Sequence, residues 1–312
     1  MTDYAFGIDL GGTTVKIGLF SAAGELVYKH EIPTRKEDGG KHILPDIAEA
    51  VRADMEAYEI TPKHLKGIGL DVPGPVLDDT IVNRCVNLGW GRINVVEELT
   101  ELTGIRNIRV ANDANVAALG EMWKGGGRGH DDLVMVTLGT GVGGGIIVRG
   151  KILGGSNGAG GEIGHMLVND SETVLCGCGK KGHLEQYTSA TGIARLAREA
   201  LEKTDRPSAL REYDKLSARK VFDQAKAGDE LALEIVDQVC RILGHALAVI
   251  ACVVDPEVIV IGGGVSKAGT ILTETTARYF REAAFHACEN TEFALAELGN
   301  DAGMYGAVKM VL

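Results

Sequence analysis

The sequence predicts an α/β protein of two domains, each carrying one copy of a strand–glycine turn–strand unit. Three observations lead there. The unit occurs twice, at residues 5–33 and 133–149; short apolar runs alternate with segments of helical spacing; and glycine is in large excess. Forty-three of the 312 residues are glycine, about 14% against the usual ~7%. They follow no collagen period and cluster at residues 11–12, 139–145, 154–164 and 262–264. Dense glycine of this kind suits backbone that must come close to a ligand.

The elements follow in order. The runs AFGIDL, TVKIGLF and LVYKHEIP are apolar enough for a buried sheet, with a glycine turn after the first and an Ala-Gly-Glu turn after the second. Residues 42–59 carry helical spacing through Ile43, Ile47, Val51 and Met55. A buried strand at 67–72 ends in the turn Pro73-Gly74-Pro75, and residues 95–102, 108–111 and 115–123 read as helix, strand and helix. After the polar, glycine-rich stretch 124–132, residues 133–138 and 145–149 repeat the opening unit. Helices dominate 191–251, a strand at 257–261 runs into Gly262-Gly263-Gly264, and 303–311 closes the chain as a helix. This alternation is that of a layered α/β protein. The expected division is a small α/β domain over residues 1–115, to which a helix at about 303–312 returns, and a larger one over 116–302, with a cleft between them.

Composition narrows the function. The net charge is −11 and no basic block occurs, which speaks against a nucleic-acid partner. An acidic protein can still hold phosphates through backbone N–H groups. The opening residues MTDYAFGIDL lack the basic and apolar regions of a signal peptide. The longest apolar stretch, about residues 243–254, is interrupted by His245 and reads as too short to span a bilayer. Six cysteines without an export signal read as reduced thiols or metal ligands. A cytoplasmic location without membrane partners is therefore expected.

Five motifs carry the chemistry. Asp9-Leu10-Gly11-Gly12-Thr13-Thr14 lies between two strands, where tight glycine turns let amides and hydroxyls face a polyphosphate. An aspartate at the strand end suits a magnesium ion held through water. A plain β-hairpin would also use these glycines. It is no Walker loop, since no Gly-Lys-Ser/Thr follows and the next element is a strand. Leu138-Gly139-Thr140-Gly141 is its second copy, and a pair of such hairpins can grip phosphates from both domains. Asn112-Asp113-Ala114-Asn115 sits between a strand and a helix, where asparagine and aspartate are also common caps. Gly161-Glu162-Ile163-Gly164-His165 precedes Cys176, Cys178 and His183; that donor set could close a four-ligand zinc site, or the cysteines could be metal-free thiols. Lys180 and Lys181 read as solvated turn residues. Finally, a buried strand ends at Gly262-Gly263-Gly264, where a flat ring could lie against backbone.

Taken together and in this order, with Pro73-Gly74, Leu184-Glu185 and Asp255-Pro256-Glu257, these motifs resemble the actin-like ATPase superfamily (a ribonuclease H-like fold) and, within it, the ROK family of repressors, open reading frames and kinases. The resemblance runs from about residue 4 to the end. It implies a two-domain actin-like ATPase fold with the active site in the cleft, and ATP-dependent phosphorylation of the 6-hydroxyl of glucose. Asp113 is then the base, with Asp71 its structural rival. Asn112, Glu162, His165 and Glu185 bind the sugar, although Glu185 also reads as a surface helix carboxylate. Asp9 supports Mg²⁺. Residues Gly11, Gly12, Thr13, Gly139, Thr140 and Gly141 hold the phosphates of ATP, and Gly262, Gly263 and Gly264 its adenosine. His165, Cys176, Cys178 and His183 bind a structural Zn²⁺ in the larger domain. His183 departs from the family, which has a third cysteine there. Alternatives within the class are mannose, fructose, allose, N-acetylglucosamine or N-acetylmannosamine as acceptor and polyphosphate as donor. A sugar-responsive repressor is the remote one, because the first hairpin begins by residue 5 and leaves no room before it for a DNA-binding motif. A homodimer or homotetramer is the family expectation.

Overall fold

The computed structural model describes residues 3–312. In chain order the elements are β1 (Tyr4–Leu10), β2 (Thr14–Ser21), β3 (Leu26–Pro33), the distorted turn α1 (Glu37–Gly40), α2 (Ile43–Ala57), β4 (Leu65–Val72), the short strands β5 (Val76–Leu77), β6 (Ile81–Val82) and β7 (Ile93–Asn94), α3 (Val95–Thr103), β8 (Ile108–Asn112) and α4 (Asp113–Lys124). The chain continues through β9 (Leu133–Leu138), β10 (Val142–Val148), β11 (Lys151–Ile152), α5 (Glu185–Thr188), α6 (Ala190–Glu202), α7 (Ala218–Lys226), α8 (Glu230–Val254), β12 (Val258–Gly262), α9 (Thr270–Ala283), β13 (Glu292–Leu295) and α10 (Ala302–Lys309). These elements form two compact units. The first comprises Met1–Gly129, Gly145–Gly161 and Leu298–Leu312; the second comprises His130–Gly144 and Glu162–Glu297.

The first unit is built on a sheet of order β3-β2-β1-β4-β8. β1 pairs antiparallel with β2 and parallel with β4, and β4 pairs parallel with β8. On one face α2 buries Ile43, Leu44, Ile47 and Val51, the 3.6-residue stripe read from the sequence, in a core with Phe6, Ile8, Leu70 and Val110. α4 and α10 pack on each other and α10 packs on β1 and β4. Backbone comes to near contact here. A Cβ on Gly69 would run into Ala307 O, one on Gly120 into Ala302 O, and one on Gly306 into Val116 O.

This explains a difference from the sequence expectation. The first unit extends beyond residue 115 because α4 is locked against α10 at Gly120 and Gly306, and both helices belong to it. The glycine-rich turns of residues 145–161 also count with it.

In the second unit β12 lies parallel between β9 and β13, and all five of its residues are buried. The order β9, glycine turn, β10 repeats β1, glycine turn, β2 along the chain. The apolar stretch expected to be too short for a membrane belongs to a longer helix. α8 runs 25 residues and is long and apolar enough to cross a bilayer by length and composition. It is the core helix of this unit: Ile235, Val239, Leu243, Leu247 and Ile250 are buried, and α7 and α9 pack against it.

The glycine contact of α4 with α10 gives a direct test. Gly306→Ala places a methyl group against rigid backbone and is expected to cost about 3 kcal/mol, read as a lower urea midpoint. Gly91→Ala, where a Cβ meets nothing within 4 Å, should change stability by less than about 0.5 kcal/mol.

Candidate active site

In the first unit the parallel register sets Asp9 beside Asp71, and Val72 beside Asn112, at the C-terminal ends of β1, β4 and β8. Asp71 is fully buried and neither carboxyl oxygen has a hydrogen-bond partner. Burial first, then the charges of Asp9 and Asp113, hold its carboxyl well above the usual carboxylate range. Only glycine fits next to it: a Cβ on Gly303 would lie 2.5 Å from Asp71 Oδ2 and 3.1 Å from Asp9 Cγ.

Asp9 is half-buried and bonded to Lys16 Nζ at 2.8 Å, and the same ammonium donates to Asn300 O at 2.8 Å. Lys16 stands directly across from Asp9 on β2. The sequence analysis passed over it. Its signal was a lone cation in an otherwise apolar strand, meaningful only once the antiparallel register is known. The first glycine turn is closed by Gly11 N donating to Thr14 O at 3.0 Å and by the Thr34 hydroxyl donating to Gly11 O at 2.8 Å. Gly12 is open, with nothing within 4 Å of an added Cβ, and Thr13 is exposed.

Asn112 caps α4: its Oδ1 accepts from the N–H groups of Ala114 at 3.0 Å and Asn115 at 3.3 Å. Its Nδ2 donates to Gly74 O at 3.3 Å, tying the cap to the Pro-Gly turn. The cap leaves Asp113 exposed as the first residue of the helix, with Oδ1 accepting from Ala114 N at 2.8 Å. Asn115 Nδ2 donates to Gly160 O at 3.1 Å, and its buried Oδ1 has no partner.

In the second unit, one donor atom from each of His165, Cys176, Cys178 and His183 lies within 4.8 Å of every other. Cys178 Sγ is 3.3 Å from His183 Nδ1, and the two imidazole centroids are 5.2 Å apart. Such spacings suit the edges of a tetrahedron with metal–ligand bonds of about 2.0–2.3 Å, and two thiols with two imidazoles are zinc donors. The donor set therefore fits a closed structural zinc site.

The loop that carries these donors is itself pinned. Gln186 is buried; its Nε2 donates to Val174 O at 2.9 Å and its Oε1 accepts from His183 N at 3.1 Å. Glu172 accepts from Thr173 N at 2.9 Å, Val174 N at 3.0 Å, the Tyr187 hydroxyl at 2.6 Å and Arg195 Nη2 at 3.1 Å. Burial opposes its ionisation, but Tyr187, the two amides and Arg195 outweigh burial and bring its carboxyl down to about 2. None of these anchors was read from the sequence, because the residues of each set meet only after folding.

Glu162 is exposed, with Oε2 3.9 Å from His165 Nε2. Glu185 is half-buried: Oε2 accepts from Val142 N at 3.0 Å, and Oε1 stands 3.5 Å from Cys176 Sγ. Around the second glycine turn Gly139 N donates to Gly141 O at 2.9 Å, and Thr140 is exposed. Gly263, at φ +82°, lies against the end of β9; a Cβ there would be 2.6 Å from Leu138 O. Next to Gly264 opens a pocket of about 400 Å³ lined by Ala218, Phe222, Val265 and Ala268, with Arg219 and Lys267 at its polar edge. Sequence reasoning found the glycines of this strand end but missed Ala218 and Phe222, which lie 40 or more residues upstream of Gly262.

Comparison with known proteins agrees with this architecture. The ROK family matches residues 5–312. The glucokinase of Halalkalibacterium halodurans is 46% identical over 305 residues, 96% of this chain and 92% of the relative. The glucokinase of Thermotoga maritima is 36% identical over 98% of this chain and 96% of its own. Among solved structures, the ROK family glucokinase of Streptomyces griseus in complex with glucose and AMPPNP superposes with a TM-score of 0.73 at 30% identity, covering 98% of each chain. The fold is the two-domain actin-like ATPase fold. With the family match spanning all but the first four residues and near-full-length relatives well above 30% identity, the chain belongs to the ROK family.

Proposed function

We propose that this protein is an ATP-dependent glucokinase, transferring the γ-phosphoryl group of ATP to the 6-hydroxyl of glucose. The observation that carries the chemistry is the contrast between two carboxyls. Asp113 is exposed at the head of α4, whereas Asp71 is sealed, its carboxyl held well above the usual carboxylate range by burial. A general base must be reachable by the hydroxyl it deprotonates. Asp113 is exposed and Asp71 is sealed, so Asp113 is the base. Phosphoryl transfer asks little else of the protein beyond positioning and charge stabilisation.

Each remaining side chain has capacity for its part. Asn112 uses one of its two Nδ2 hydrogens on Gly74 O and keeps the other for a sugar hydroxyl. Glu185 accepts one amide hydrogen at Oε2, leaving lone pairs for hydroxyls. Glu162 and His165, both exposed, complete the sugar contacts. The amides of Gly11, Gly12, Thr13, Gly139, Thr140 and Gly141 hold the polyphosphate. The adenosine lies at Gly262, Gly263 and Gly264, its base in the pocket of Phe222 and Val265. Asp9, a hard oxygen donor at a strand end, fits Mg²⁺ through water, and that ion supplies charge neutralisation on the phosphoryl oxygens. Zinc in the His₂Cys₂ cluster is structural: all four positions are protein donors, so none is left for a reacting water.

Four outcomes check this reading. Asp113→Asn should lower kcat about 10²–10⁴-fold in a coupled ADP-release assay while hexose binding persists. Asp71→Asn changes a fully buried group and should keep most of the rate; the reverse ranking would make Asp71 the base. The purified protein should contain one zinc per chain by elemental analysis, and His183→Ala should lose most of it. Finally, Glu172 has a depressed carboxyl, so its stabilisation is full above about pH 4.5 and is lost as pH falls toward about 2. Glu172→Gln should therefore be about 2 kcal/mol less stable than the natural chain at pH 7, with the gap closing in acid, followed by denaturant unfolding across pH.

A further inference from the structure

The segment that leaves the metal cluster is the segment that holds the second glycine turn. His183 is a cluster donor and Glu185 follows two residues later. Glu185 accepts from Val142 N at 3.0 Å, Ala190 N donates to Gly139 O at 2.8 Å, and the Thr191 hydroxyl donates to Thr140 O at 2.8 Å. These ties fix the residues on both sides of the turn and at its tip. Gly141 lies directly against the Glu185 carboxylate, which a Cβ there would push aside. On its other side the same carboxylate stands 3.5 Å from Cys176 Sγ, and Leu184 N donates to Met166 O at 2.9 Å, one residue beyond His165.

We infer that the metal cluster governs the phosphate hairpin through Glu185 and its neighbours, so that zinc occupancy sets the affinity for the nucleotide's polyphosphate. Glu185 is thus a positioning residue for the hairpin in addition to its sugar contact. This rests on the reading of residues 139–141 as the phosphate hairpin. The physical route is short. Four donors crowded within 4.8 Å have a common partner only when a cation is present. Without it His183 and Cys176 relax, and Glu185 moves with them. Amides that bind an anion do so only if they already point at it, because reorienting them costs much of the binding energy. Loss of one charge-assisted hydrogen bond at such a site is worth about tenfold or more in affinity.

Coupling of this kind is reciprocal: if zinc tightens the nucleotide, the nucleotide tightens zinc by the same factor. The test uses the full chain with equilibrium titration of ADP and, separately, zinc transfer to a chromophoric chelator. Removing zinc should weaken ADP binding about 10-fold, with zinc restoring it, and saturating ADP should raise zinc affinity by a matching factor. In Glu185→Gln the zinc dependence of ADP affinity should shrink, because the link is cut. Thr191→Val should raise the KM for ATP several-fold without changing zinc content or the KM for glucose. Should the zinc-free protein unfold, the ADP affinity of zinc-replete Glu185→Gln decides: it should be about 10-fold weaker than that of the natural chain, and an equal affinity overturns the link through Glu185. Equal ADP affinity with and without zinc in folded protein, or ADP-independent zinc affinity, overturns the coupling while leaving the kinase reading intact. Absence of ADP binding under every condition overturns both.

Discussion

Three neighbouring parallel strands, β1, β4 and β8, bring acidic side chains to their C-terminal ends, and like charges at such range cannot all be ionised. Burial decides which one gives way. Asp71, on the central strand of the three, is fully buried, and burial together with the charges of Asp9 and Asp113 pushes its carboxyl well above the usual range. Asp9 is paired with Lys16 Nζ at 2.8 Å, and Asp113 is exposed to solvent. Gly303 brings the start of α10 up to the strands, where a Cβ would lie 2.5 Å from Asp71 Oδ2. The division of labour proposed for Asp9 and Asp113, one for a cation and one for a proton, leaves the sealed third carboxyl without a part.

The second constraint is that the protein is acidic, at −11, yet the proposed substrate is a polyanion. No lysine cluster is available to hold it, and Lys16 is already committed to Asp9 and Asn300 O. Backbone amides must then supply the positive ends of the dipoles, and amides bind well only when held still. The first turn is held by Thr34 and by its own Gly11–Thr14 hydrogen bond. The second is held by Glu185, Ala190 and Thr191. Each turn is therefore fixed by residues outside it.

That dependence explains what was legible in the sequence. The strand–glycine–strand units, the α2 stripe and the helix after Asn112 announce themselves through local period and composition, and the structure has them within a few residues. The cluster of His165, Cys176, Cys178 and His183 was visible too, since its four donors fall within 19 residues. Non-local contacts were not visible. Lys16 becomes a partner of Asp9 only through the β1–β2 register, and Phe222 reaches the Gly264 pocket from a distant helix. α4 went to the wrong side of the expected boundary because the glycines that lock it, Gly120 and Gly306, lie 186 residues apart. Asn112 illustrates a third case: the sequence left cap and ligand as rivals, yet its oxygen caps the helix while one N–H stays available.

By the resemblance read from the sequence, His183 stands where the family has a third cysteine, and for a zinc ion held there the consequence would be electrostatic. Zinc with three thiolates and one imidazole is a centre of charge −1. With two thiolates and two neutral imidazoles it is neutral. The difference falls beside Glu185, whose Oε1 is 3.5 Å from Cys176 Sγ. An anionic centre there would repel the carboxylate and, through the same hairpin, disfavour a polyphosphate. A neutral one removes both penalties while keeping four donors within tetrahedral reach. Replacing a cysteine by His183 thus exchanges some thiolate affinity for zinc against a milder field on the hydrogen bond from Val142 N to Glu185, the bond that orients the turn.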